Sequence, residues 1–289
     1  MFKIRKHRNG KISIKERYGR PAVYLDNWAL NDIALENHYR NRFIKAMRRR
    51  NGTLRVSVQN IDELNKQGDW GQITSILKMI DSVDSGFLNV NVTEVIERED
   101  KIIKNPFIKH NDPSGDVDLI KSRLQSRSLP LDPNISEIIS IAILGTPVKR
   151  YKDVAFADLQ KRKLDLGRSA QKIAKRAKER FHKAKQGGKK YDAATRELNS
   201  MAYDFIIINE TMGMSKSSEW YDLNHVIVPV AYCDIVLVDK KWKAFVKQTG
   251  FEFPDIAMIF DKKSLDEFFV QLETNSFSQV NKPWKNKIK

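Results

Sequence analysis

Short apolar segments alternate with stretches of helical periodicity towards both ends of the chain, and this alternation constrains the fold most. Ala22 to Leu25, Leu54 to Val58 and Phe87 to Val92 are typical of buried strands, and amphipathic helices are predicted between them. Asp234 to Val238 and Asp255 to Phe260 repeat the strand pattern later in the chain. Because strands that alternate with helices form parallel sheets, we predict an α/β fold with a central parallel sheet flanked by helices.

Two helix ends are predicted from local signals in the last third of the chain. A helix that begins near Glu219 should end at Pro229, because proline lacks the backbone N–H that a helix interior uses. Ser264, followed three residues later by Glu267, predicts a capping box at the start of the final helix.

The interval 105–199 has a different composition, and we expect it to be a mainly helical insertion. The two parts 1–104 and 200–289 would then form one discontinuous domain. Leu159, Leu166 and Ile173 recur every seven residues, as in a helical hairpin whose turn is Gly187-Gly188.

This hairpin is strongly basic, which favours binding to nucleic-acid phosphates over a merely solvated surface. Its candidate contacts are Lys161, Arg162, Arg168, Lys172, Lys175, Arg176, Arg180 and Lys183. We refer to the stretch 159–185 as the basic arm.

The charge balance of the whole chain favours a polyanionic partner. The 289 residues include 52 Lys and Arg against 36 Asp and Glu, a formal net charge of +16 at pH 7. Such a field attracts nucleic acid, so RNA or single-stranded nucleic acid is the expected partner. An antitoxin protein and self-association through the basic arm stay open as further partners.

Other features exclude several classes of protein and site. The single cysteine, Cys233, excludes an intramolecular disulfide and a multi-cysteine zinc site, and it is expected to be a small core residue. The first residues lack the apolar segment of a signal peptide, and the longest apolar stretch is too short to cross a bilayer. We therefore expect a cytoplasmic protein with no membrane partner.

Acidic residues follow the predicted strands at the edge where open α/β sheets bind their ligands. Asp26 and Asp239 each come directly after a strand, and Glu63 lies in the helix after the second strand. Asp222 opens a later helix, with His225 one turn further on the same face. Each acid alone is equally typical of a helix cap or a turn, but together they could converge on one site.

The expected ligands of such a site are Mg²⁺ or Mn²⁺, because these hard cations prefer oxygen donors. Two such ions can activate water and stabilise the leaving oxygen during phosphodiester cleavage. Glu94, Glu97 and Glu99 lie near the end of the third predicted strand, where a solvated helix start is the expected role.

The joint pattern resembles the PIN-domain family of nucleases. VYLDNWALNDIA is similar to the opening strand and first acid of that family, and RVSVQNIDELNK to its second motif. DLNHVIVPVAYCDIVLVDKKW is similar to its third and fourth motifs together. The resemblance covers about residues 20–100 and 200–275. It implies that Asp26, Glu63, Asp222 and Asp239 are the catalytic and metal-binding carboxylates, with Asp234 as second choice for the third position.

Two motifs depart from the family pattern. Asp-Thr-Asn is frequent at the first motif, where this chain has Asp26-Asn27-Trp28, and Thr-Asn-Asp at the last, where it has Leu237-Val238-Asp239. The resemblance still implies a metal-dependent nuclease, in the first interpretation an endoribonuclease such as the toxin of a stress or defence system. A structure-selective DNA nuclease and a non-catalytic nucleic-acid-binding module with the same fold are the alternatives.

Overall fold

A computed structural model describes residues 2–6, 12–16, 18–105, 113, 134–145, 194–211 and 219–277. The basic arm lies outside these described residues. The elements within them are β1 Phe2–Lys6, β2 Ile12–Glu16, β3 Ala22–Leu25, α1 Asn27–Leu35, α2 Asn37–Arg50, β4 Thr53–Val56, α3 Val58–Gln67, α4 Trp70–Asp81, β5 Asp84–Phe87, α5 Val92–Lys104, α6 Ile135–Gly145, α7 Ala194–Thr211, α8 Glu219–Tyr232, β6 Ile235–Leu237, α9 Lys240–Thr249, β7 Met258–Phe260, a 3₁₀ turn Lys262–Ser264 and α10 Leu265–Thr274.

The central element is a five-stranded sheet in the order β5-β4-β3-β6-β7, in which every pairing is parallel. Strand β3 lies in the middle, so the early strands and the late strands meet in a single sheet. Leu25 of β3 lies opposite Leu237 of β6. The predicted α/β class, with a parallel sheet flanked by helices, is therefore confirmed. Strands β1 and β2 form a separate antiparallel pair.

Helices cover both faces of this sheet because successive strand residues point to opposite sides. Val23 and Leu25 of β3 belong to one buried cluster, with side chains from α1 to α4, α6 and α10. Tyr24, between them, belongs to a second cluster with α5, α7, α8 and α9. None of the described helices is long and apolar enough to cross a membrane.

One helix of the expected insertion packs into the sheet domain itself. Ile135, Ile138 and Ile139 of α6 are buried in the first cluster, against α3 and α4. Most of 105–199 lies outside the described residues, so its role as a separate insertion stays a prediction.

Several local predictions need correction. Helix α8 runs through Pro229 to Tyr232, because the buried residues around the proline hold the helix in the core and Cys233 N–H still bonds to the Pro229 carbonyl at 2.8 Å. The capping box lies one turn before the predicted one: Ser264 closes it with Asp261, at 2.7 Å between the side-chain oxygens.

The third strand is also displaced from its predicted position. It covers Asp84–Phe87, and α5 starts at Val92 because the Asn91 side chain accepts from the Glu94 N–H. Of the apolar run Phe87 to Val92, only Phe87 belongs to the strand, and Val92 is already the first residue of α5.

Candidate active site

The two strand-end aspartates come from neighbouring strands. Asp26 follows β3, and its N–H donates to the carbonyl of Leu237 in β6 at 3.0 Å. Asp239 lies two residues beyond Leu237 and precedes α9. Adjacent strands are about 4.8 Å apart, so the two chains leave the sheet at the same edge, with Asp239 one position beyond the residue opposite Asp26. Asp26 is half-buried and Asp239 is exposed, and solvent reaches both.

Each of these aspartates stands at the start of a helix. The Asp26 carboxylate accepts from the Asn27 N–H at 2.8 Å at the N-cap of α1, and Asp239 is the N-cap residue of α9. The positive ends of two helix dipoles therefore lie at this edge and favour negative charge there. We call this region, with the ends of β3, β4 and β6, the carboxyl edge.

Glu63 is linked to the same place through Asn27. The Asn27 side-chain amide donates to Glu63 Oε2. Asn27 is buried, whereas Glu63 on α3 is half-buried. The polar residue directly after Asp26 thus connects the first strand-end acid to the acid of the second motif, while Trp28 packs against the hydrophobic core.

Asn27 is held by a buried hydrogen-bond network that includes Asn60, Ser57 and Tyr24. Asn60 Nδ2 donates to Asn27 Oδ1 and to the Leu25 carbonyl, both at 3.2 Å. Asn60 Oδ1 accepts from Ser57 N–H at 2.9 Å and from Ser57 Oγ at 3.0 Å. Ser57 Oγ lies 3.0 Å from the hydroxyl of Tyr24. The chain of contacts runs from the middle of β3, across β4, to Glu63.

The charges of Asp26 and Glu63 act on Tyr24, which belongs to this network. The pKa of Tyr24 is raised well above its usual value, first by burial and then by the nearby Asp26 carboxylate, with a smaller contribution from Glu63. Its hydroxyl therefore stays protonated beside the acids and can serve as a hydrogen-bond donor.

Asp222 lies in the first turn of α8. That helix ends at the amino edge of the sheet, where the Val230 carbonyl accepts from Ala257 N–H just before β7. Its first turns therefore point towards the carboxyl edge, and Asp222 there is half-buried. The side chain of His225 is not among the described ones.

Asp234, the second choice for the third acid, lies at the opposite edge. It precedes β6, is fully buried, and bonds to Arg20 Nη1 at 2.9 Å and to the Ala22 N–H at 2.7 Å. The length of β6 separates it from Asp239. Asp234 joins the starts of β3 and β6, and we do not carry it into the proposed site.

The geometry limits the kind of metal site that these residues could form. Among the residues that the structure describes, no three Asp, Glu, His or Cys side chains are placed so that together they could hold a metal ion. Mg²⁺ usually keeps several waters and takes one or two protein carboxylates together with substrate phosphates. Asp26 and Asp239 could supply one or two carboxylates of this kind, and the described residues form no closed cage of protein ligands.

Sequence reasoning missed the supporting residues Tyr24, Asn27 and Asn60. One local signal was available, because Ser57 and Asn60 stand three residues apart after a strand and form a capping box at the start of α3. The contacts of Asn60 with Leu25 and Asn27 depend on the pairing of β3 with β4, and no local pattern indicates them. The basic-arm residues lie outside the described part of the chain, so their role stays a prediction.

Two further residues have clear structural environments. Glu99 is buried in the second cluster, not solvated as expected, and accepts from Thr195 Oγ1 at 2.6 Å and the Tyr232 hydroxyl at 2.7 Å. The expected core position of Cys233 is confirmed, and burial raises the pKa of its thiol to about 12.

No family model matches the sequence, and comparisons with curated proteins and with solved structures gave no match. The assignment of function therefore depends on the geometry of the site.

Proposed function

We propose that this protein is a metal-dependent nuclease that hydrolyses phosphodiester bonds at the carboxyl edge of the sheet. The observation that carries the proposal is the pairing of β3 with β6, because both strands end at the edge where open α/β sheets bind ligands, and Asp26 and Asp239 follow them there. The parallel sheet is compatible with the PIN-like fold that the motifs resemble.

In this proposal the four acids have graded roles. Asp26 and Asp239 bind Mg²⁺ or Mn²⁺ directly, and Asn27 orients Glu63 towards them. Asp222 completes the set from the first turns of α8. When bound, the ion would activate water and neutralise charge on the phosphodiester. The protein's own contribution is to hold these oxygens in position from below through Asn60 and Ser57.

The substrate proposed is RNA or single-stranded nucleic acid. The net charge of +16 supports a polyanion in general and does not separate RNA from DNA. Fluorescent single-stranded RNA, single-stranded DNA and duplex DNA of one sequence should therefore be compared as substrates with Mg²⁺ and with Mn²⁺.

The decisive variants are Asp26→Asn and Asp239→Asn. Asparagine keeps the size and a cap acceptor but loses the charge that a cation needs, so each should lower kcat by at least about 100-fold, on the scale of losing one transition-state stabiliser. Asp81→Asn is the matched control, because Asp81 is exposed at the end of α4, near the amino edge. Circular dichroism checks that all three fold alike. Wild-type cleavage rates in Asp26→Asn would refute the site.

A second candidate function is a non-catalytic nucleic-acid-binding module. The specific observation in its favour is that the described acids do not form a three-ligand group. In that case, purified protein binds oligonucleotides with the same affinity in Mg²⁺ and in EDTA, and cuts none of the three substrates. Metal-dependent cleavage that is lost in Asp26→Asn would exclude this alternative.

A further inference from the structure

Helices α2 and α10 enclose a groove with a volume of about 630 Å³ that shares no residue with the carboxyl edge. One wall is a single face of α2, where His38, Arg42, Lys45 and Arg49 recur at intervals of four, three and four residues. Such intervals place side chains in one row along a helix. The other wall is the last turn of α10, with Glu273.

The charge of this groove is one-sided. Arg42, Lys45 and Arg49 line it from helix α2, which has no Asp or Glu. Glu273 is the one acid among the lining residues that the structure describes. Lys45 and Arg49 are exposed, so their charges face the solvent in the groove. A row of cationic side chains along one helix is typical of surfaces that bind the phosphates of nucleic acids.

Glu273 is already engaged and holds the arginine beside it in place. Arg42 Nε and Nη2 donate to the two Glu273 carboxylate oxygens at 2.7 and 3.0 Å, and the guanidinium stacks 4.7 Å from the Phe269 ring centroid. Arg49 and Arg50 donate to the Glu273 carbonyl. This wall is therefore preorganised, which lowers the entropic cost of binding a ligand.

We propose that this groove binds the phosphate backbone of a nucleic-acid strand, with Lys45 and Arg49 as contacting cations and Arg42 as a fixed neighbour. A helix rises about 1.5 Å per residue, so the row from His38 to Arg49 is roughly 16 Å long, enough for more than one phosphate. The inference rests on the proposed function for the nature of its ligand and does not depend on catalysis.

The test compares how the double variant Lys45→Glu/Arg49→Glu and a control variant bind a fluorescent single-stranded RNA. Binding is measured in EDTA, where no cleavage can occur. The matched control is Lys101→Glu/Lys247→Glu, which makes the same change in net charge at exposed lysines of α5 and α9, on the other face of the sheet. Each phosphate contact to a single strand contributes about 0.7 to the salt slope, or about fivefold in affinity at roughly 0.1 M salt. The groove variant should therefore bind about 25-fold more weakly than the control, with a slope lower by about 1.4.

A groove variant that binds no more weakly than the control, with the same salt slope, would overturn the proposal. If the double variant does not fold, Lys45→Ala replaces an exposed mid-helix residue with the best helix former and should still cost about fivefold in affinity. Binding to vesicles with anionic lipids is measured for the same variants. If the groove variant loses vesicle binding while its RNA affinity is unchanged, the partner is a different one and the proposal is also overturned. Cleavage by wild type and by Asp26→Asn, measured separately in Mg²⁺, reports on the proposed nuclease site alone.

Discussion

Replacing Asn60 with alanine should destabilise the fold by about 3–5 kcal/mol, because the buried groups that it satisfies would lose their partners. Asn60 is fully buried, and its amide makes hydrogen bonds to Ser57, Leu25 and Asn27. The variant would leave the Ser57 N–H, the Leu25 carbonyl and the Asn27 amide oxygen each without that partner. A buried polar group left unsatisfied costs about 1–3 kcal/mol, and local relaxation around the three groups keeps the sum near the lower end.

The measurement is urea unfolding followed by circular dichroism, with the free energy of unfolding taken from the transition midpoint. Asn91→Ala is the matched control, since Asn91 is an exposed N-cap of α5 whose side chain bonds to Glu94. Loss of an exposed cap costs about 1 kcal/mol. If Asn60→Ala is no more destabilising than Asn91→Ala, the network does not support the site as argued.

The isosteric change Asn60→Asp separates hydrogen bonding from packing. Aspartate keeps the acceptor that faces Ser57, but it turns the donor that faces Leu25 and Asn27 into a second acceptor. We expect it to cost at least as much as alanine at neutral pH, because it opposes like lone pairs in a buried place. A stability close to wild type would show that cavity volume, not hydrogen bonding, determines the effect of Asn60→Ala.

Two stability predictions concern the flanks of the sheet. Burial raises the pKa of Glu99, so its stabilising contribution is present below the usual glutamate pKa of about 4.3 and is lost as the pH rises through the folded-state pKa. Glu99→Gln should therefore gain stability relative to wild type as the pH rises from acidic to neutral. An equal stability difference at both pH values in urea titrations would contradict this. Gly86→Ala would place its Cβ 2.5 Å from Tyr18 Cε1 and should cost about 1–3 kcal/mol in the same assay, whereas Gly71→Ala, whose Cβ meets only the Asp69 carboxylate at 3.2 Å, should be near neutral.

The strands and the acids that follow them could be predicted because both depend on local order in the sequence. Alternation of apolar runs and helical periods determines a parallel sheet, and a parallel sheet brings its strand ends together whatever their separation along the chain. Asp26 and Asp239 are therefore neighbours although 212 residues separate them. Asp234, the second choice if the alignment of the third motif shifts, precedes β6 and so lies at the opposite edge from Asp239.

The position of Glu99 in the sequence indicates burial, although its charge led to the expectation of a solvated residue. It lies on the buried stripe of α5, with Val92, Val95 and Ile102 at intervals of three and four residues. A position on such a stripe is buried whatever its side chain, and the protein satisfies this carboxyl with hydroxyls from α7 and α8. Those hydroxyls are about 100 residues or more away in sequence, so the partners could not be inferred from local pattern.

The contrast among the aspartates is the strongest structural argument for where chemistry can occur. Asp234 and Asp261 are both buried and bonded to a cation, Arg20 at 2.9 Å and Lys243 at 3.0 Å. Burial alone would raise the pKa of Asp261, but hydrogen bonds from Ser264 and Lys243 and the charge of Lys243 hold it below its usual value, as suits a structural ion pair. Asp26 and Asp239 instead stand at helix starts on adjoining strands and remain open to solvent. A buried ion pair would have to break before its carboxylate could coordinate a metal, whereas solvent reaches Asp26 and Asp239. For this reason we propose the nuclease site at the ends of β3 and β6, and not at Asp234 or Asp261.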